Sequence, residues 1–418
     1  MFYEKSTLSN GLTVLTERMD TVRSVALGIW YRVGSRDETA AQLGLTHFME
    51  HMMFKGTEKR SVFDISMAFD AMGAELNAFT SKEYTCYYVR VLDEKLEAAF
   101  EILSDMVTSS VFAPDAINSE REVVIEEIAR YEDMPDEHIG DVFSEAFYPS
   151  AQLGRPIIGT RELVASYEQK NCRDFHKAHY HAANASVVAS GNIDHNRLVR
   201  LCERYLSDMP TGAPNDRGAV HEKNRLYLTT LTRPLEQAHL LIGMPGIPLG
   251  HTDRFAGALM NTIIGGPMSS RLFQEVREKR GLAYAVYAST SAYMNAAMFS
   301  VYAGTRPSNL GEVLAIIRAE FEKMATDGVS DEELERSKEY LVGNTVLSHE
   351  STSTRMVRLG SNQVNGLDIF SLDEIIDSYR AVSCADVGRV AARILAEKPT
   401  VAVISPLEQA EVAELLAK

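Results

Sequence analysis

The segment from Gly44 to Gly56, GLTHFMEHMMFKG, carries two histidines, His47 and His51, four residues apart with Glu50 between them. It is compatible with a short helix and closes on a glycine of the kind that ends helices. At about 100° per residue the two imidazoles lie about 40° apart on one face, with Glu50 about 60° to the other side of His47. Two histidines so spaced can bind one zinc ion, and a carboxylate on the same face can reach a water on the metal without being a ligand. Three fixed residues arise by accident in roughly 5% of chains of this length, so a second element has to support the reading.

That element follows Pro114-Asp115. Across residues 116–131, Ile117, Glu120, Val124, Glu127 and Tyr131 recur at spacings of three and four and share one stripe of a helix. Glu120 and Glu127 thus stand where apolar residues are expected, whereas Glu122, Glu126 and Asp133 fall on another face and read as solvated. An inward carboxylate is costly unless it is paired or bound to metal. Glu127 is therefore the candidate third ligand, and Glu120 a candidate partner behind one of the histidines. Two His and one Glu leave the fourth zinc position open for water, as catalytic sites do and structural ones do not. Zinc would acidify that water, Glu50 would take its proton, and attack on a carbonyl polarised by the metal would be hydrolysis. A histidine pair satisfied in the core or at the surface is the plain alternative; Glu50 in register and the two inward acids argue against it. His138, His176, His179, His181 and His239 lack such company and read as structural.

Elements that position these residues recur along the chain. A strand at 25–33, a helix at 44–54, a strand pair at 76–80 and 85–91 and a helix at 94–107 are matched, in the same order, by a strand at 238–244, a helix at 254–264, strands at 283–291 and 296–303 and a helix at 308–324. Two copies of one α+β unit, each a sheet covered by helices, account for this order. The Pro/Gly/Asn/Asp cluster at 209–218 separates them. The expected division is an N-terminal zinc-binding domain over 1–210, a linker over 211–224 and a homologous domain over 225–418.

A chain of 418 residues suits two domains, and 45% hydrophobic with 24% charged residues is the composition of a soluble globular protein. Glu4 and Lys5 with no apolar run behind them do not read as a secretory signal. The apolar stretch at 239–249 is broken by Pro and Gly well short of the roughly 20 residues of a membrane span, so no membrane partner is expected. Cys86, Cys172, Cys202 and Cys384 form no C-x-x-C pair, which argues against a disulfide framework and suits a reducing cytoplasm. The net charge of −16 disfavours nucleic acid and favours cationic ligands near an acidic cavity, or serves solubility alone.

The motifs resemble those of the inverted-zincin metallopeptidases, the family of pitrilysin, insulin-degrading enzyme and mitochondrial processing peptidase. His47, Glu50 and His51, with Glu127 76 positions after the second histidine, are similar to its ligand and base set. Asn77, Ala78 and Phe79, followed by Thr80, resemble the edge strand on which the family lays the substrate backbone. Arg277 and Tyr284 resemble a pair that contacts substrate and helps polarise the scissile carbonyl; Arg277 by itself would read as solvated on an amphipathic helix. Glu137 and Asp141 match acids that bind a basic residue near the cleavage site in the processing enzyme, where the plain reading is a solvated acidic turn.

The resemblance extends over almost the whole chain, and its implications are specific. It implies two homologous α+β domains, each a mostly antiparallel β-sheet covered by helices, in a half-length member holding one zinc per chain. It implies a zinc metalloendopeptidase acting on small or unfolded peptides in a closed chamber. It also implies a homodimer in which each site borrows Arg277 and Tyr284 in trans. The glycine-rich loop of the non-catalytic processing-peptidase subunit is absent around 265–268, so the chain resembles the catalytic subunit. A non-catalytic structural or assembly subunit of the same fold, and metal-dependent hydrolysis of a non-peptide substrate, are the competing expectations.

Overall fold

The apolar run SVALGIWY at Ser24–Tyr31 suits a strand covered on both faces, and it lies inside a six-stranded sheet. The strands are β1 (Glu4–Thr7), β2 (Thr13–Arg18), β3 (Ser24–Tyr31), β4 (Glu75–Thr80), β5 (Thr85–Leu92) and β6 (Ala185–Gly191), in the spatial order β1-β2-β6-β3-β5-β4. All neighbours pair antiparallel except β2 and β6. A second, five-stranded sheet contains β7 (Leu228–Thr232), β8 (Ala238–Pro245), β9 (Ala283–Ala292), β10 (Ala297–Thr305) and β11 (Thr400–Ser405), in the order β7-β11-β8-β10-β9. Its one parallel pair is β7 with β11. Apart from β1, the two sheets share one order and one position for the parallel pair, which is the repeat expected from the sequence.

This computed structural model describes residues 2–149, 151–215, 217, 218, 220 and 225–417. The chain forms two compact units, and neither is one contiguous half. The first comprises Met1–Arg130, Arg155–Gly218 and Ser348–Ser371; the second comprises Tyr131–Gly154, Ala219–Leu347 and Leu372–Lys418. The boundaries expected at 210 and 225 therefore need correcting by an exchange of segments.

In the first unit, helices α1 (Leu45–Met52) and α2 (Pro114–Glu132) carry the motif residues. In the second, helix α3 (Pro135–Phe147) packs Ile139, Phe143 and Phe147 with Leu241 of β8 and with Ala402 and Ile404 of β11. Helix α4 (Thr352–Val364) returns to the first unit and packs Met356 and Leu359 with Leu15, Ala26, Trp30 and Val188 of its sheet. A sheet with two apolar faces needs a cover on each, and burying each large side chain contributes roughly 1.5–3 kcal/mol, whichever part of the chain supplies the helix. Contact here is close: a Cβ on Gly360 would meet the Trp30 ring at 2.1 Å.

The linker expected at 211–224 is tied down as far as Gly218, and positions 216, 219 and 221–224 lie outside the described residues. Arg217 donates to both oxygens of Asp37, at 2.9 and 2.7 Å, and Asn215 Nδ2 donates to the Arg32 carbonyl at 2.8 Å.

The start of α1 is set by Gly44, whose φ of +91° and approach to Gly159 exclude a side chain, since a Cβ would meet Gly159 Cα at 2.6 Å. Its first turn donates the Gly44 and Thr46 N–H groups to the buried Glu38 carboxylate, at 2.9 and 2.7 Å. Burial pushes the Glu38 carboxyl up to about 7 against those bonds.

Candidate metal centre and active site

Helix α1 turns Phe48, Met49 and Met52 into the core and presents His47 and His51 on its other side. The imidazole rings lie 4.6 Å apart at 62°, and α2 brings Glu127 to them. Glu127 Oε2 is 3.6 Å from His51 Nε2 and 3.9 Å from His47 Nε2, and one donor atom from each of the three residues lies within 4.8 Å of the others. A tetrahedral zinc with bonds of about 2.0–2.1 Å separates its ligand atoms by about 3.3 Å, so the three close on an ion by small side-chain shifts. Of the two acids expected to face inward only Glu120 is buried; Glu127, nearer the end of α2, is exposed and has room to make them. Among the described residues this is the one group of His, Cys and acids able to hold a metal.

The acid expected behind a histidine is there. Glu120, buried to 3% exposure, lies with Oε1 2.8 Å from His51 Nδ1, which orients His51 with Nε2 towards Glu127. Its other oxygen takes Lys55 Nζ at 2.5 Å. Burial alone would raise the Glu120 carboxyl, but His51 and Lys55 outweigh it and hold the group below its ordinary value. For His51, burial works against the charged form, while the bond to Glu120 and the charges of Glu120, Glu127 and Glu50 prevail and raise it. Burial, with the neighbouring His51, pushes His47 down to about 3, so it is the neutral imidazole that a metal needs. His47 Nδ1 is buried without a protein partner, in contrast to His51.

Glu50 lies on the same helix. Burial raises its carboxyl, opposed by a hydrogen bond from Thr80 and by the charge of His51. Thr80 Oγ1 donates to Glu50 Oε2. Thr80 ends β4, which is the edge strand of the first sheet and, among the described residues, pairs only with β5. Asn77, Ala78 and Phe79 therefore lie on an edge able to accept another strand, although Asn77 Oδ1 already accepts the Ala78 N–H at 2.8 Å. The Phe79 ring is anchored 5.5 Å from Trp30.

The second unit assembles the other predicted residues. Arg277 lies in a π-helical turn, Phe273–Glu278, where the sequence suggests an ordinary amphipathic helix. Its guanidinium sits 4.8 Å from the ring centre of Tyr284 and 4.7 Å from that of Phe273, and Tyr284 is 80% exposed at the start of edge strand β9. Glu137 and Asp141, on α3, line a cavity of about 510 Å³ together with Tyr131, Asp136, Tyr287 and Tyr302. They thus lie on a helix and not in the turn of the plain reading, with Glu137 exposed to solvent.

The roles of Lys55 and Thr80 were missed in the sequence. Lys55 follows His51 by four residues and so continues the face of the two histidines, a signal that was open to reading. Thr80 reaches Glu50 only through the packing of β4 beside α1, and no local spacing announces it.

Comparison with known proteins shows the family and the fold. Residues 13–161 match the family model described as Insulinase (Peptidase family M16), and residues 168–341 match the Peptidase M16 inactive domain. An uncharacterized zinc protease of Streptomyces coelicolor is 42% identical, with 98% of this chain and 91% of that protein aligned. The uncharacterized zinc protease YmxG of Bacillus subtilis is 39% identical, over 96% of this chain and 98% of its own length. Among solved structures, a protease from Helicobacter pylori superposes with a TM-score of 0.89 at 21% identity, covering 97% of this chain and 99% of that one. A peptidase M16 inactive domain from Pseudomonas fluorescens reaches 0.91 at 20% identity, covering 98% and 99%. The fold and site define a two-unit α+β protein with an inverted H-x-x-E-H metal motif. The chain belongs to peptidase family M16. Among the described residues no helix is long and apolar enough to cross a membrane.

Proposed function

We propose that this chain is a zinc-dependent endopeptidase that hydrolyses peptide bonds in small or unfolded peptides. The observation that carries the reading is the convergence of His47, His51 and Glu127 on one point, with Glu50 on the same helix and Glu120 behind His51. A zinc ion held by these three residues would supply a Lewis acid that acidifies water and polarises a carbonyl. Glu50 takes the proton of the attacking water and delivers it to the leaving amine. The open edge of β4 at Asn77–Phe79 pairs with the substrate backbone, which favours an extended peptide over a non-peptide substrate. The hollow of the second unit lined by Asp136, Glu137 and Asp141 suits a basic side chain.

Exposed Tyr284 and half-buried Arg277 form a pair in the second unit, and in this proposal they serve the site of a second copy of the chain, making the active species a homodimer with one zinc per chain. All four cysteines are free, which supports a reducing compartment such as the cytoplasm. A non-catalytic assembly subunit is favoured by one observation, the match of residues 168–341 to a domain described as inactive. That match lies outside the ligand and base set, which is intact.

The test is zinc content together with cleavage of a quenched fluorescent peptide library by the native chain and by Glu50→Gln. The expected result is about one zinc in each, with cleavage lower by about a thousandfold in the variant. Zinc in both and cleavage by neither, at any protein concentration, would favour the assembly subunit.

A further inference from the structure

The base does not stand alone on α1. Among the described residues Thr80 is the one side chain that donates a hydrogen bond to Glu50, and it takes Oε2, leaving Oε1 free to accept a proton. Thr80 is also the last residue of β4, directly after Asn77–Phe79.

The place of Thr80 is rigid for reasons visible around it. The turn after it is closed by Ser81 N–H donating to the Tyr84 carbonyl at 2.8 Å, and by Ser81 Oγ accepting from Tyr84 N–H at 3.0 Å. Ser35 N–H and Arg36 N–H donate to the carbonyls of Ser81 and Lys82 at 3.2 and 2.8 Å. Gly34 allows that approach, since a Cβ there would meet Lys82 backbone at 2.4 Å. The buried Arg36 guanidinium holds Glu83 at 2.5 Å, and Arg217, paired with Asp37, also donates to the Glu83 carbonyl. Breaking a buried ion pair leaves an uncompensated charge and is costly, so the turn resists leaving these contacts. Here they fix the end of a strand whose other residues face an open edge.

We propose that Thr80 is a positioning residue for the base, fixing the Glu50 carboxylate rotamer from the end of the strand that receives the substrate. The inference deepens the peptidase reading and rests on it for its effect on turnover. A carboxylate that must meet a water at hydrogen-bond distance loses efficiency when its rotamer is free, because the productive geometry then has to be found in each cycle. Placing the restraint on β4 also makes one element responsible for the register of the substrate backbone and the aim of the base.

Thr80→Val and Thr80→Ser test this on the full-length, zinc-loaded chain. Valine keeps the β-branched shape and the strand preference and removes only the hydroxyl. Thr80→Val is expected to lower kcat about 10–100-fold while KM, zinc content and melting temperature stay near the native values, and Thr80→Ser to recover to within about threefold of native. In crystals of zinc-loaded Thr80→Val, the Glu50 carboxylate is expected in more than one rotamer while His47, His51 and Glu127 keep their places. Native kcat in Thr80→Val, or an equal loss in Thr80→Ser, overturns the proposal. If the native chain itself cuts no peptide, the peptidase reading fails and the crystals decide the inference alone: a single, unmoved Glu50 rotamer in Thr80→Val overturns it.

Discussion

The two units share a strand order and a connection pattern, yet among the described residues only the first carries a group able to hold a metal. In the first, α1 follows β3 and turns His47, Glu50 and His51 towards the acids of α2. In the second, the helix Arg254–Gly265 follows β8 and buries Leu259, Met260, Ile263 and Ile264, while the helix Asp331–Ser348 buries Leu334, Ser337, Lys338 and Val342. The difference teaches where chemistry can be fitted into a repeated scaffold. The one buried acid of α2, Glu120, is tolerated because His51 and Lys55 meet it; the buried faces of the second unit's helices are filled with apolar residues, or with a lysine that finds Glu335 at 2.8 Å.

The largest effect expected from this contrast is on metal. Glu127→Gln removes a charged ligand, and zinc affinity, measured against a competing chelator, should fall by at least about a hundredfold with the secondary structure seen by circular dichroism unchanged. Retention of native affinity would detach α2 from the metal centre and erase the distinction between the units.

Next in size is the division of labour proposed between them. Arg277→Ala and Glu50→Gln should each lower cleavage about a hundredfold or more alone. If the pair acts in trans, mixing and re-equilibrating the two variants should restore about a quarter of native activity, because half the dimers are mixed and each of those has one complete site. No recovery would confine Arg277 to its own chain.

A smaller effect tests the exchanged helices that complete both sheets. Gly360→Ala sets a methyl against the Trp30 ring and should destabilise the first unit by about 1–3 kcal/mol in urea unfolding. A silent substitution would show that α4 can slide away from Trp30 without loss.

The smallest is a pH effect at the cap of α1. Glu38 is protonated more readily when folded, with a carboxyl raised from 4.5 to about 7. Its contribution to stability is therefore full below about 4.5 and is lost as pH rises through about 7. Glu38→Gln should remove that slope, so the native-minus-variant stability difference should fall by about 1–3 kcal/mol from about pH 5 to about pH 7.5. A difference that stays flat or rises would mean that the buried carboxylate is fully ionised, with the helix N-terminus outweighing burial.

Much of this was legible in residue order. The spacing of His47, Glu50 and His51 and the buried acid Glu120 are local periodicities, and a helix converts periodicity directly into a shared face, whereas Glu127 on the same stripe is exposed. The doubled strand and helix order likewise announced two related sheets. Contacts between distant parts of the chain were not legible. That α3 and α4 are exchanged follows from which uncovered sheet face each apolar stripe meets, and sequence distance carries no information on that choice. The composition at 209–218 marked a linker, but Asn215 and Arg217 find partners that only the folded first unit provides.

The sequence alone therefore determined the repeated α+β architecture and singled out the candidate ligands and base, because each depends on spacing within one element or on the order of elements. Only the tertiary structure decided which residues serve those groups: Lys55 on Glu120, Thr80 on Glu50 and the Arg36–Glu83 clamp beneath the turn. The physical reason is that a buried polar group must be satisfied by whatever donor packing brings within about 3 Å, and packing is settled by the burial of whole faces and not by local pattern.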